Sequence, residues 1–247
     1  MSVEAPDSVY KEINSAGEEI WIPLGSLSYA LIESEYICQA IGDPLHRIAD
    51  AAATKDQVIH ALAQGCEIFH FTGHAGYNFN SPKKSALCLS KDDRLTIEEL
   101  MEIPLNGCQL VCLSACETGI TGKQTILDEY VGLVSAFLSQ GVGTVVSTLW
   151  QVQSAASAII MMEFYRRRQN LDDISALHET THWLRSATSQ DLITWWENIK
   201  AEREQLPKIE QIINSELRML SKKSRIEGTP PPYSDPYYWA AFTITGG

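Results

Sequence analysis

Short, almost uninterrupted apolar runs alternate along this chain with longer segments in which apolar residues recur every three or four positions. Residues 66–72 (CEIFHFT) are apolar or aromatic nearly throughout, and Gly73 closes the run. Residues 108–116 (CQLVCLSAC) and 144–150 (TVVSTLW) repeat the pattern. Runs of this length without polar alternation predict strands buried on both faces of a sheet. Shorter strands are predicted at 46–50 (HRIAD) and 85–90 (SALCLS).

The segments between them carry helical spacing. Residues 28–41 place Ala30, Leu31, Ile37 and Ala40 on one side. The next helix has Thr54 as a natural N-cap and Gly65 as a natural stop. Thr96 and Glu99 form a capping box before a helix over 96–103. Leu133/Phe137 and Val134/Leu138 are i,i+4 pairs in a helix that Gly141 ends. A further helix aligns Ala156, Ile159, Ile160 and Phe164, and another covers 172–187. Residues 190–225 are charged and helical, with Leu206, Ile209, Ile213, Leu217 and Leu220 spaced for one apolar face. A Pro-rich turn (GTPPPYSDP) then leads into YYWAAFTITGG, which reads as a final strand. The first 18 residues are polar and linker-like.

Strand–helix alternation predicts an α/β fold: a three-layer α/β/α sandwich, a mostly parallel central sheet, and an extra helical segment before the last strand. The expected division is an N-terminal segment over 1–27, a linker from a longer chain, and one domain over 28–247 with a helical insertion at 190–225.

Composition narrows the function. The 247 residues are 45% hydrophobic, enough for a full core. Lys plus Arg number 19 against 31 Asp plus Glu, a net charge of −12, the wrong sign for a protein that neutralises phosphates, so nucleic acid is not expected as a direct partner. Six cysteines without a CxxC pair, in a chain large enough to need no disulfide staples, point to a reducing, cytoplasmic setting. The start lacks the basic and apolar regions of a signal peptide, and no run reaches membrane-spanning length.

The candidate chemistry lies at two strand ends. His74 and Cys116 each stand just past a predicted central strand, the sheet edge where open α/β folds bind ligands. Adjacent parallel strands are about 4.8 Å apart, so the two side chains have hydrogen-bond reach. A thiol beside an imidazole suffices to attack a peptide carbonyl, with the imidazole sharing the thiol proton and later protonating the leaving amine. Gly73 is expected to let the backbone bend, and the amides of Ala75 and Cys116 are expected to face the developing oxyanion.

HFTGHA (70–75) followed by LSACETG (113–119) resembles the paired signature of the CHAT domain family, a branch of the caspase and separase superfamily often attached to helical repeat domains. DEYVGLVSAFLSQGV, TVVSTLWQV, EFYRRR and DPYYWAAFTITGG follow in the family's order, so the resemblance spans roughly 28–247. It implies that His74 is the catalytic histidine and Cys116 the nucleophile of a cysteine endopeptidase. Such an enzyme works through a thioester without metal or cofactor on one or a few protein substrates, regulated by an attached repeat domain or partner protein. His70, inside the strand, reads as a packed or hydrogen-bonded core residue. Ala75 stands where many caspase-like enzymes have Gly, which keeps the amide. Gln151 and Gln153 occupy the region after the LW pair where many members have an acid that selects a basic residue before the cut. Glu117, Asp128 and Glu129 are alternative sources of acidity; Asp128 and Glu129 also suit helix capping. Gly73, Glu117, Asp128, Trp150, Gln151 and Gln153 are the candidate substrate-binding residues, with Trp150 equally readable as a core aromatic.

Two other classes stand beside the enzyme. The fold could serve as a catalytically silent interaction module. A zinc site built on Cys108, Cys112 and Cys116 fails on distance, because a spacing of four along a strand separates side chains by about 13 Å.

Overall fold

The computed structural model describes residues 1–5, 9–13, 19–24, 27–42, 47–76, 78, 81–105, 107–115, 127–202, 206–226 and 228–246. Its centre is an eight-stranded sheet. Six strands form one continuous path in the order β10 (Phe242–Gly246), β9 (Thr144–Thr148), β8 (Leu110–Ala115), β5 (Ile68–Gly76), β1 (Ser2–Glu4), β4 (Arg47–Ala49). All neighbours on this path are parallel except β10, which runs antiparallel to β9. The last residues of β5 pair antiparallel with β6 (Ala86–Cys88), and β6 with β7 (Arg94–Thr96). Strands β2 (Val9–Ile13) and β3 (Glu19–Pro23) form a separate antiparallel pair.

Both faces of the sheet are covered. In β8, Leu110 and Cys112 face one core while Val111 and Leu113 face the other; in β5, Ile68 opposes Phe69 and Phe71 in the same way. The first core is closed by α1 (Ala30–Ile41), α5 (Ser154–Arg167), α6 (Asp173–Ser186), α7 (Ser189–Ala201) and α8 (Pro207–Lys223). The second is closed by α2 (Lys55–Ala63), α3 (Ile97–Leu100) and α4 (Leu127–Ser139). Continuous apolar runs become central strands because each alternate residue has a helix layer to bury it. The expected three-layer architecture, with α7 and α8 inserted before the last strand, is the one observed. Helix α5 is buried almost all round, beyond the single predicted stripe, because it is packed between the sheet and neighbouring helices.

The local signals hold at several ends. Thr54 accepts from the Gln57 amide, and Thr96 and Glu99 complete their capping box. Four expectations need correction. Ser2–Glu4, placed in the linker-like start, is an interior strand between β4 and β5. Val3 is fully buried there, and Glu4 is held by Ser34 and Arg47. Gly73 does not bend the chain; β5 runs through it to Gly76, so His74 lies within the strand instead of beyond it. Leu206 is 49% exposed, because it is the N-cap of α8 and sits off the face that buries Ile209, Ile213 and Leu220. Pro236–Trp239 form a helical turn (α9), since Asp235 caps it and Pro236 takes its first position; the final strand begins only at Phe242.

Candidate functional site

The register of the two central strands sets the site. Gly73 of β5 is the partner of Ala115, the last described residue of β8. His74 follows one step along β5 and is 2% exposed. Gly73 is required by packing: a Cβ there would lie 2.6 Å from Phe71 Cζ and 3.3 Å from the Ala5 carbonyl oxygen. Cys116 and Glu117 lie outside the described residues. Asp128 and Glu129 fall on the first turn of α4.

Backbone direction around His74 follows from the hydrogen bonds on either side. The His70 amide donates to Met1 O, and Thr72 O accepts from the Ala5 amide, so the even-numbered residues of β5 aim their backbone groups at the β1 edge. In β6, Ser85 O accepts from Ile97 N and the Leu89 amide donates to Asp93 O, so its odd-numbered residues serve the β7 side. The pairs His74–Cys88 and Gly76–Ala86 are therefore the hydrogen-bonded ones. Ala75, between them, turns its N–H away from β6 and toward the β8 edge.

Strand β9 adds the next part of that edge. Thr148 Oγ1 donates to Ala115 O at 3.5 Å, which ties the ends of β9 and β8 together. Leu149, Trp150 and Gln151 follow Thr148 in the chain. The Trp150 indole N–H donates to Tyr237 O at 3.0 Å and its ring packs on the first core. Gln151 and Gln153 are exposed, Gln153 at the N-cap of α5. Gly73, His74 and Ala75 thus lie near the C-terminal end of β5, and Trp150, Gln151 and Gln153 follow the C-terminal end of β9, the two strands that flank β8.

His70 belongs to a different environment. It is fully buried, with Nε2 2.9 Å from Glu33 Oε1 and Nδ1 3.4 Å from the Tyr165 hydroxyl. A proton on Nε2 satisfies both contacts: Nε2–H donates to Glu33 and Nδ1 accepts from Tyr165. Burial pushes the neighbouring Cys112 thiol up to about 12. The core readings of His70 and Cys112 agree with these contacts.

Cys88, which sequence reasoning did not connect with the site, stands across β6 from His74. Burial raises its thiol to about 11, with Arg94 pulling the other way. The only signal for this pairing was the strand reading of 85–90, which carries no register. Among the described residues, no group of three or more His, Cys, Asp or Glu side chains is arranged to hold a metal ion, and no helix is long and apolar enough to cross a membrane.

The CHAT domain profile matches residues 15–247, and the chain belongs to that family. The likeness to the CHAT domain family drawn from the HFTGHA and LSACETG motifs is borne out. No curated protein sequence matches the chain. Among solved structures, it is similar to the complex of the Porphyromonas gingivalis RgpB pro- and mature domains, at 10% identity and a TM-score of 0.44. It is also similar to the Arg-specific cysteine proteinase gingipain R, at 10% identity and a TM-score of 0.41. Each match covers 73% of this chain, which spans 42% of the length of each.

Proposed function

We propose that this domain is a cysteine endopeptidase in which Cys116 is the nucleophile and His74 its general base. The pairing of Gly73 with Ala115 carries the reading. His74 follows Gly73 in the chain and Cys116 follows Ala115, and that adjacency in sequence supports the reading. The thiol proton passes to the imidazole, the thiolate attacks the scissile carbonyl, and the amides of Ala75 and Cys116 stabilise the oxyanion. The direction of the Ala75 N–H supports its part. The imidazolium then protonates the leaving amine, and water hydrolyses the thioester. No metal or cofactor enters these steps.

Gly73, Glu117, Asp128, Trp150, Gln151 and Gln153 form the substrate-binding surface in this proposal; among them, the exposure of Gln151 and Gln153 supports direct contact with a peptide. The substrates are one or a few proteins of the cytoplasm, and an attached repeat domain or partner controls access.

A thiol-reactive peptide probe tests the proposal. Labelling is expected at Cys116 and should fall at least about a hundredfold in His74→Ala, the scale of a lost general base. Cys116→Ala should abolish cleavage of a co-expressed substrate. Normal cleavage by Cys116→Ala would remove the nucleophile assignment. Absence of labelling in the presence of the activating partner would favour the silent interaction module.

A further inference from the structure

At the end of the sheet opposite His74, two cysteines meet. Cys66 precedes β5 and Cys108 precedes β8, and both side chains lie against the second core. The lead-ins to these strands are already joined: Glu67 O accepts from the Gln109 amide at 2.8 Å and from the Leu110 amide at 3.3 Å. The cysteines flank that junction, each two residues ahead of the paired Ile68 and Leu110, and the Cys108 thiol donates to Leu110 O at 3.6 Å. Both are reduced. Cys108 is 3% exposed, whereas Cys66 is half-buried and open to solvent on one side.

We propose that Cys66 and Cys108 form a reversible disulfide across the base of β5 and β8, a dithiol site oxidised by a small-molecule disulfide such as glutathione disulfide. Hydrogen-bonded parallel strands are about 4.8 Å apart, within the Cα separation of about 4.4–6.8 Å that a disulfide spans. The chemistry proceeds by exchange. The Cys66 thiolate, the accessible one, attacks a sulfur of glutathione disulfide; that S–S bond breaks, a mixed disulfide forms on Cys66, and one glutathione leaves. Cys108 then loses its proton and attacks the Cys66 sulfur, and the second glutathione departs. Two protein thiols are oxidised and one glutathione disulfide is reduced to two thiols, which take up the protons. The Cys66 hydrogen bond first and burial second hold the Cys108 thiol protonated in the reduced state. Neither residue takes part in the proposed peptide hydrolysis, so the two proposals stand or fall separately.

The full chain, folded, should be incubated with glutathione disulfide, trapped with iodoacetamide under denaturing conditions and digested without reductant. A peptide pair linked through Cys66 and Cys108 is expected, lacking both alkyl adducts. It should vanish after dithiothreitol and in Cys66→Ser or Cys108→Ser. The oxidised protein should also show an upward shift in unfolding temperature, reversed by reductant, because the bond closes a long loop in the unfolded chain. Cys66 carrying only glutathione, with Cys108 still alkylated, would overturn the proposal; so would full alkylation of both residues.

Discussion

Replacing His70 with alanine should cost stability and leave any catalysis to His74. The imidazole is fully buried, Glu33 is 2% exposed and Tyr165 3%. His70→Ala deletes a ring from a closed core, strips Glu33 Oε1 of a donor at 2.9 Å and takes away the acceptor of the Tyr165 hydroxyl. Breaking a buried charged contact by removing one partner costs about 3–5 kcal/mol. Large-to-small core changes fall in the same range. Both describe one event here, so they do not add, and about 3–5 kcal/mol is expected against a total stability of about 5–15 kcal/mol. Urea unfolding followed by tryptophan fluorescence should show a lower midpoint with a similar slope. In a double-mutant cycle with Glu33→Ala, the pair should lose less than the sum of the singles, by about 1–3 kcal/mol. A loss below about 1 kcal/mol for His70→Ala would refute the argument that this contact is buried and satisfied. Complete loss of cleavage by a His70 variant that remains folded would move the base from His74 to His70.

Glu216 offers a pH test. Burial raises its carboxyl above the ordinary value of 4.5, although the Tyr29 hydroxyl that donates to it pulls the other way. The native state then holds this proton more tightly than the unfolded chain, so stability falls as pH rises from 4.5 through the raised value. Glu216→Gln should flatten that part of the stability–pH curve; identical slopes in urea titrations of the two proteins would contradict it. Gly73→Ala should cost about 1–3 kcal/mol through overpacking. Its Cβ meets the Phe71 ring at 2.6 Å, and an unchanged melting temperature would show that Phe71 yields freely.

The readable parts of this fold were those that local chemistry dictates. Phe69 and Phe71, Val111 and Leu113, and Val145 and Val146 announce strands buried on both sides, and Thr54, Thr96 and Glu99 announce helix starts. Strand β1 was hidden because Ser2 and Glu4 look solvent-facing. Glu4 is buried only because Arg47, 43 residues away, and Ser34, 30 residues away, converge on its carboxylate. No local window contains that information. Motif spacing drew attention to His74 but put it just past a central strand, whereas β5 carries it inside. Its antiparallel continuation into β6, the neighbouring Cys88 and the outward turn of the Ala75 amide depend on register, which apolar periodicity leaves open.

That double membership of β5 leaves it no freedom to slide. Between Phe69 and Gly73 it is matched residue for residue with β8, and from His74 onward with β6. Adding or deleting one residue in this stretch would rotate the imidazole to the opposite layer of the sandwich. A systematic scan of single-codon insertions and deletions should find none tolerated from Phe69 to Gly76, whereas the short helical turn at Pro82–Lys84, outside both ladders, should accept length changes.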